Sequence, residues 1–192
     1  TAANIAAHDN DLVTAVTAIG ATSVSVTLGA TAIAVDDYKD GYLYVNDNIG
    51  EGQLFKIGPH PAVASGGVFA VPIRDEGGVR TALDTTSQTG LMRNPWKDVV
   101  IAPTTPVGHL VGATPVDVAD NRYFWAQRTG LANLWVQGTV TIGQQVSRSA
   151  TTAGAVDAVD YAGTVEPQIV GEVALIAAVT TDYGLIQMCL NP

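Results

Sequence analysis

Charge is what this sequence has least of. Its 192 residues include only 9 basic and 18 acidic side chains, a 14% share against roughly 25% in an average globular protein. The three Lys and six Arg are scattered between Lys39 and Arg148. Phosphate binding needs such groups clustered, so no nucleic-acid partner is expected of a chain whose net charge is -9. Cysteine is limited to Cys189, which rules out an intrachain disulfide. Set in the run Leu185-Ile186-Gln187-Met188-Cys189-Leu190 with no His or Arg beside it, it is predicted to be a buried small hydrophobe rather than a reactive thiol. No apolar stretch approaches the roughly 20 residues of a membrane helix. The Thr1-Ala2-Ala3 start lacks the basic and apolar regions of a signal peptide. A soluble chain with no membrane partner is therefore expected.

Catalytic signatures are missing too. There is no Gly-Lys pair for a phosphate loop, and Ala64-Ser65-Gly66-Gly67 lacks the glycine that precedes the serine of a nucleophile elbow. His8-Asp9-Asn10-Asp11 places oxygen ligands at alternate positions, as a hard cation requires, but the closing Glu of a calcium loop is absent. A solvated polar loop or arm is the expectation there. His60, between Pro59 and Pro61, reads as a loop-shaping residue, and His109 as a satisfied core or boundary histidine. Asp36-Asp37 and Asp75-Glu76 sit at turns and read as solvated acids. No catalytic residue, no metal ligand and no cofactor is predicted, and the chain is not expected to be an enzyme.

What is abundant is small: Ala, Val, Thr and Gly supply 93 residues, while Glu and Lys number four and three. This is β and turn chemistry. Ser23 to Leu28 alternates, with Val24, Val26 and Leu28 on one face. Tyr42-Leu43-Tyr44-Val45 and Gln53-Leu54-Phe55-Lys56-Ile57 flank a Gly-rich turn and predict a hairpin. Val68-Phe69-Ala70-Val71 resumes the pattern, and a long loop is expected from Thr85 to Pro95. Beyond Pro103 and Pro106, Arg122 to Gln127 and Leu131 to Val136 read as aromatic-rich strands around Thr129-Gly130. The fold class predicted is all-β: two small β modules of sandwich or barrel type, residues 22–103 and 107–192, preceded by an extended N-terminal arm or capping segment over 1–21. An internal echo spans the second half, where Val111-Gly112, Tyr123 and Gln127 are followed by Val170-Gly171, Tyr183 and Gln187.

The aromatics divide into two groups. Tyr123, Phe124, Trp125 and Trp135 read as core packing, with a sugar-stacking or intersubunit face as the alternative. Trp96, after Asn94-Pro95 in a Pro-stiffened loop, is an anchor candidate for docking onto another chain. Asn94, Pro95 and Trp96, together with Thr1, Ala2 and Asn4 of the arm, are the predicted partner contacts.

Several segments carry a family resemblance. Val26 to Ala32, Asp40 to Asp47, Gly50 to Ile57 and Arg93-Asn94-Pro95-Trp96 resemble the first half of small structural proteins of tailed-bacteriophage heads. Tyr123 to Gly130 and Val140 to Val146 are similar to their C-terminal β module. The resemblance covers most of residues 22 to 190 and implies a capsid decoration, or cement, protein. Such a protein sits on the outer surface of the virion's capsid, binds the phage major capsid protein, stabilises the head and commonly assembles as a homotrimer. The rival expectation is a carbohydrate-binding or host-adhesion β module on the virion surface.

Overall fold

The computed structural model describes residues 4–162, 168–175 and 182–190. The chain is all-β and divides into two compact units, Ala3–Lys97 and Asp98–Pro192. The residues expected at the module junction, 103–107, belong to the second unit. There Arg148 Nη1 donates to the carbonyls of Pro103, at 2.6 Å, and of Thr104, while the Gly154 amide donates to Ala102.

The first unit holds β1 (Leu12–Val13), β2 (Ser23–Thr27), β3 (Tyr42–Asp47), β4 (Leu54–Lys56), β5 (Val68–Pro72) and β6 (Gln88–Met92). They form a four-stranded antiparallel sheet in the order β1-β6-β3-β4 and a two-stranded sheet, β2-β5. The predicted alternation holds: Val24, Val26 and Leu28 are buried, and β3 pairs with β4 as the expected hairpin, Leu43 opposite Phe55.

One expectation needs correction here. The segment Thr85 to Pro95 is not a continuous loop, because β6 lies inside it and pairs with both β1 and β3. Gln88-Thr89-Gly90-Leu91-Met92 hides its strand character because three successive residues are buried, which erases the alternation that marks a half-exposed strand. Gly90 is required at its position: a Cβ there would lie 2.2 Å from the Asp9 carbonyl oxygen and 2.5 Å from the Tyr44 ring. Of the two alternatives for the N-terminal segment, an extended arm or a capping segment, the chain from Asn4 onward takes the packed form. A single 3-10 turn, Ala6–His8, leads into β1, Thr14 and Thr17 bridge to Val26 and Leu83, and the His8 side chain is fully buried.

The second unit is a closed barrel of β7 (Thr129–Val136), β8 (Gln145–Arg148), β9 (Val156–Ala158), β10 (Ile169–Leu175) and β11 (Asp182–Cys189), in the order β10-β11-β7-β9-β8 with β8 returning to β10. Ala132 and Val136 of β7, Val146 of β8, and Ile186 and Met188 of β11 point inward and build its core. Leu131 to Val136 is a strand, as predicted. Arg122 to Gln127 is not, apart from Gln127, whose backbone pairs with Ala113 in an isolated bridge. This bridge gives the internal echo a structural meaning. Ala113, after Val111-Gly112, pairs with Gln127; Glu172, after Val170-Gly171, pairs with Gln187 in the same antiparallel sense. Each echo glycine lies against the carbonyl of its glutamine, where a Cβ would approach to 2.8 Å in the first copy and 2.1 Å in the second.

Candidate functional site

The second unit carries an open groove of about 370 Å³ lined by Pro115 to Ala119 on one side and Arg122 to Trp125 on the other. The reversal comes at Asp120-Asn121, where Asn121 adopts a left-handed conformation (φ 60), a conformation that Asn tolerates better than most residues. It faces the two runs toward each other. Tyr123 is fully exposed and Trp125 is 94% exposed, two residues apart on the same loop, with Phe124 also at the surface. This overturns the core-packing reading of these aromatics. The physical reason is local: with no ladder to hold residues 122–126 they do not alternate into a core, and the barrel is filled by Val, Leu, Ile and Met instead. The titratable groups in the groove are Asp117, Arg122 and Tyr123. Its chemistry is apolar stacking with a few polar contacts, which suits binding.

Trp135 stands apart from that groove. It projects from the outer face of β7, opposite Tyr183 of β11, so the predicted platform of Tyr123, Trp125 and Trp135 does not assemble as one groove lining. Cys189 also departs from expectation. It is exposed because the inward positions of β11 are Gly184, Ile186 and Met188, which leaves the odd-numbered residues outside.

The other predicted contacts lie in the first unit. Asn94-Pro95-Trp96 follows β6 directly, and the Trp96 amide donates to Asn94 Oδ1 at 3.0 Å, an Asx turn that fixes the segment. Arg93, one residue earlier, pairs with Asp37 at 2.9 Å and donates its amide to Asn4 Oδ1 at 3.2 Å. The fold thus brings Asn4 beside the Asn94 to Trp96 strip, and Trp96 keeps more than half its surface in solvent. Thr1 and Ala2 lie outside the described residues.

Two of the histidines, His8 and His60, carry structure. His8 Nε2-H donates to the Thr31 carbonyl at 3.0 Å, which leaves Nδ1 to accept a hydrogen bond from the Tyr38 hydroxyl at 2.9 Å. Accepting at Nδ1 while donating from Nε2 is the pattern of the neutral ring, and burial pushes the His8 pKa down. Rather than joining Asp9 and Asp11 in a solvated ligand loop, the imidazole points into the core. Among the described residues no group of three or more His, Cys, Asp or Glu side chains has the arrangement to hold a metal ion. His60 is buried as well, accepting the Tyr38 amide at Nε2 and donating from Nδ1 to the Pro61 carbonyl. Its own amide donates to Asp36, and that bond holds the Asp36 carboxyl below the usual carboxylate range. His109, expected in a core or at its boundary, is exposed. Compared with known protein families, with curated proteins and with solved structures, the chain matches none of them.

Proposed function

We propose that this chain is a structural component of a bacteriophage virion, a decoration or cement protein that docks on the outer surface of the major capsid lattice as a homo-oligomer, with the trimer as the expected form. The observation that carries the reading is the pair Tyr123 and Trp125, held in solvent on a loop that contributes little to the core of its own unit. Truncating an aromatic anchor at the centre of an interface typically costs about 2 kcal/mol or more, and such anchors dominate protein interfaces. Trp96 offers a second anchor on the first unit. The major capsid protein is proposed as the partner on the resemblance of the quoted segments to phage head proteins, and the capsid part of the reading rests on that resemblance. The mechanism is mass action: a subunit that binds only the assembled lattice stabilises that lattice.

The test is occupancy on purified phage heads. A Tyr123→Ser/Trp125→Ser double variant and a Trp96→Ala variant are expected to fall off particles while melting like the parent protein. Attachment of the parent protein should survive nuclease treatment, since the acidic balance disfavours DNA. Wild-type occupancy by both variants, or a location inside the head or in the tail, sinks the proposal.

A second reading, a carbohydrate-binding or host-adhesion module, is favoured by one observation: the groove is of small-ligand size and its exposed aromatics sit beside Asp117 and Arg122, the mixture that stacks and hydrogen-bonds a sugar ring. Glycan binding that depends on Tyr123 and Trp125, with no binding to heads, decides for it.

A further inference from the structure

The register of the barrel strands assembles a second surface, one in which the aromatic groove takes no part. Trp135 of β7 lies directly opposite Tyr183 of β11, Asn133 opposite Leu185, and Leu131 opposite Gln187. On the far side of β11, Leu185 is opposite Leu175 of β10. All of these point away from the barrel core, and four large apolar side chains stay well exposed: Leu131 at 55%, Trp135 at 38%, Leu175 at 58% and Tyr183 at 60%. Together they leave roughly 500 Å² of side-chain surface in water, at the upper end of the apolar patches that monomers expose. Between them stand only neutral residues. β7 has no charged side chain along its length, and β11 has none after Asp182. Glu172 of β10, opposite Gln187, marks one edge of the face, while Asp182, paired with the inward Val136, lies at the end of the barrel.

We propose that this face of β7, β11 and β10 is the surface through which copies of the chain associate with one another. Three features favour a second copy as the occupant. The molecule carries a net charge of -9, so identical copies repel except where a face is uncharged, and the two central strands provide such a face. A basic partner would find no carboxylate at the centre of it. The exposed area points the same way: four large apolar side chains on one face make a patch of the size that marks an association surface. A twisted three-strand face can also pack against the barrel of a neighbouring copy, as sheet faces do in sandwiches, whether two copies meet about a two-fold axis or three gather about a three-fold. The inference rests on the homo-oligomer part of the proposed function and not on the capsid.

The experiment is sedimentation of the isolated full chain across the micromolar range. Wild type is expected to form one discrete associated species, and Trp135→Ser and Leu131→Glu to weaken its assembly at least about tenfold, with circular dichroism and melting unchanged. Tyr123→Ser, in the groove, should leave assembly alone. Because each copy carries a net charge of -9 and Glu172 borders the face, raising the salt concentration should tighten association. Maleimide labelling of Cys189, which shares this face, should slow as concentration rises. A wild-type monomer at the highest concentration, or a folded Leu131→Glu that assembles normally, overturns the proposal. Should the Trp135 variant fail to fold, Leu131→Glu and the Cys189 labelling rate decide: a rate independent of concentration also overturns it. Failure of head binding with intact self-association rejects the capsid reading alone.

Discussion

His8 shows how a single residue can set the acid limit of a unit. Its ring is enclosed by Tyr38 and the Thr31 carbonyl, with Asp9, Asp37 and Arg93 the charged groups around it. Burial lowers its pKa below the ordinary 6.5, so the unfolded chain takes up a proton at a pH where the folded one does not. Stability is therefore complete above about pH 6.5 and is lost as pH falls from there through the folded value. Asp36 and Asp84 act later with the same sign. Their carboxyls are held below 3.8, by the His60 amide and by the Thr86 hydroxyl and amide respectively, and their contributions vanish as pH falls below that value. Melting of the first unit between pH 8 and 5 should fall with pH in the wild type, and His8→Gln should flatten that slope. If the slope is the same in both, His8 is not the titrating group. Tyr38→Phe leaves the His8 Nδ1 acceptor buried without its donor and should cost about 1–3 kcal/mol at neutral pH; chemical denaturation measures it.

At the scale of elements, Gly90 and Gly171 mark places where two strands or a strand and a loop come closer than any side chain allows. Gly90→Ala would push a methyl into the Asp9 carbonyl and the Tyr44 ring, both of which are tied down, since the Tyr44 hydroxyl donates to that same carbonyl. A destabilisation of about 1–3 kcal/mol or more is expected, read from the denaturation midpoint of the first unit. A cost under half that would mean that the Asp9 segment moves aside freely. These elements also show what the sequence discloses and what it hides. β2, the β3-β4 hairpin and β7 were legible because one face is wet and the other dry, so their residues alternate. β6 was not, being buried on three successive residues around a glycine. The aromatic run Arg122 to Gln127 misled in the opposite direction: strand-forming residue types sit there without a neighbouring strand to pair with, and strand propensity reflects packing context more than backbone preference. That Trp96 stands exposed on a turn was readable from the proline beside it. The groove was not, because Pro115 to Ala119 forms its other wall through a turn at Asn121 that carries no strong sequence mark.

For the molecule as a whole, the two hydrophobic cores draw on separate sets of residues, one spanning Leu12 to Leu91 and the other Leu110 to Leu190. Each is thus supplied entirely by its own stretch of chain. Residues 1–97 and 98–192, produced separately, should each give a β-type circular dichroism spectrum and a cooperative melt; a half that stays unfolded shows that its core needs the other. Removing the first eleven residues, by contrast, would take His8 out of the first core and should unfold that half rather than merely trim it. The position of β11 has its own consequence. Because it is inserted between β7 and β10, hydrogen-bonded to both, no sub-barrel of the earlier strands can close without it. During synthesis on the ribosome, every strand of the first unit has been made by Met92 and can pair at once, whereas β7 waits for about fifty residues with its longest edge unfilled. The nascent second unit should therefore be the client of holding chaperones, and a pause in translation before β11 should harm it while sparing the first.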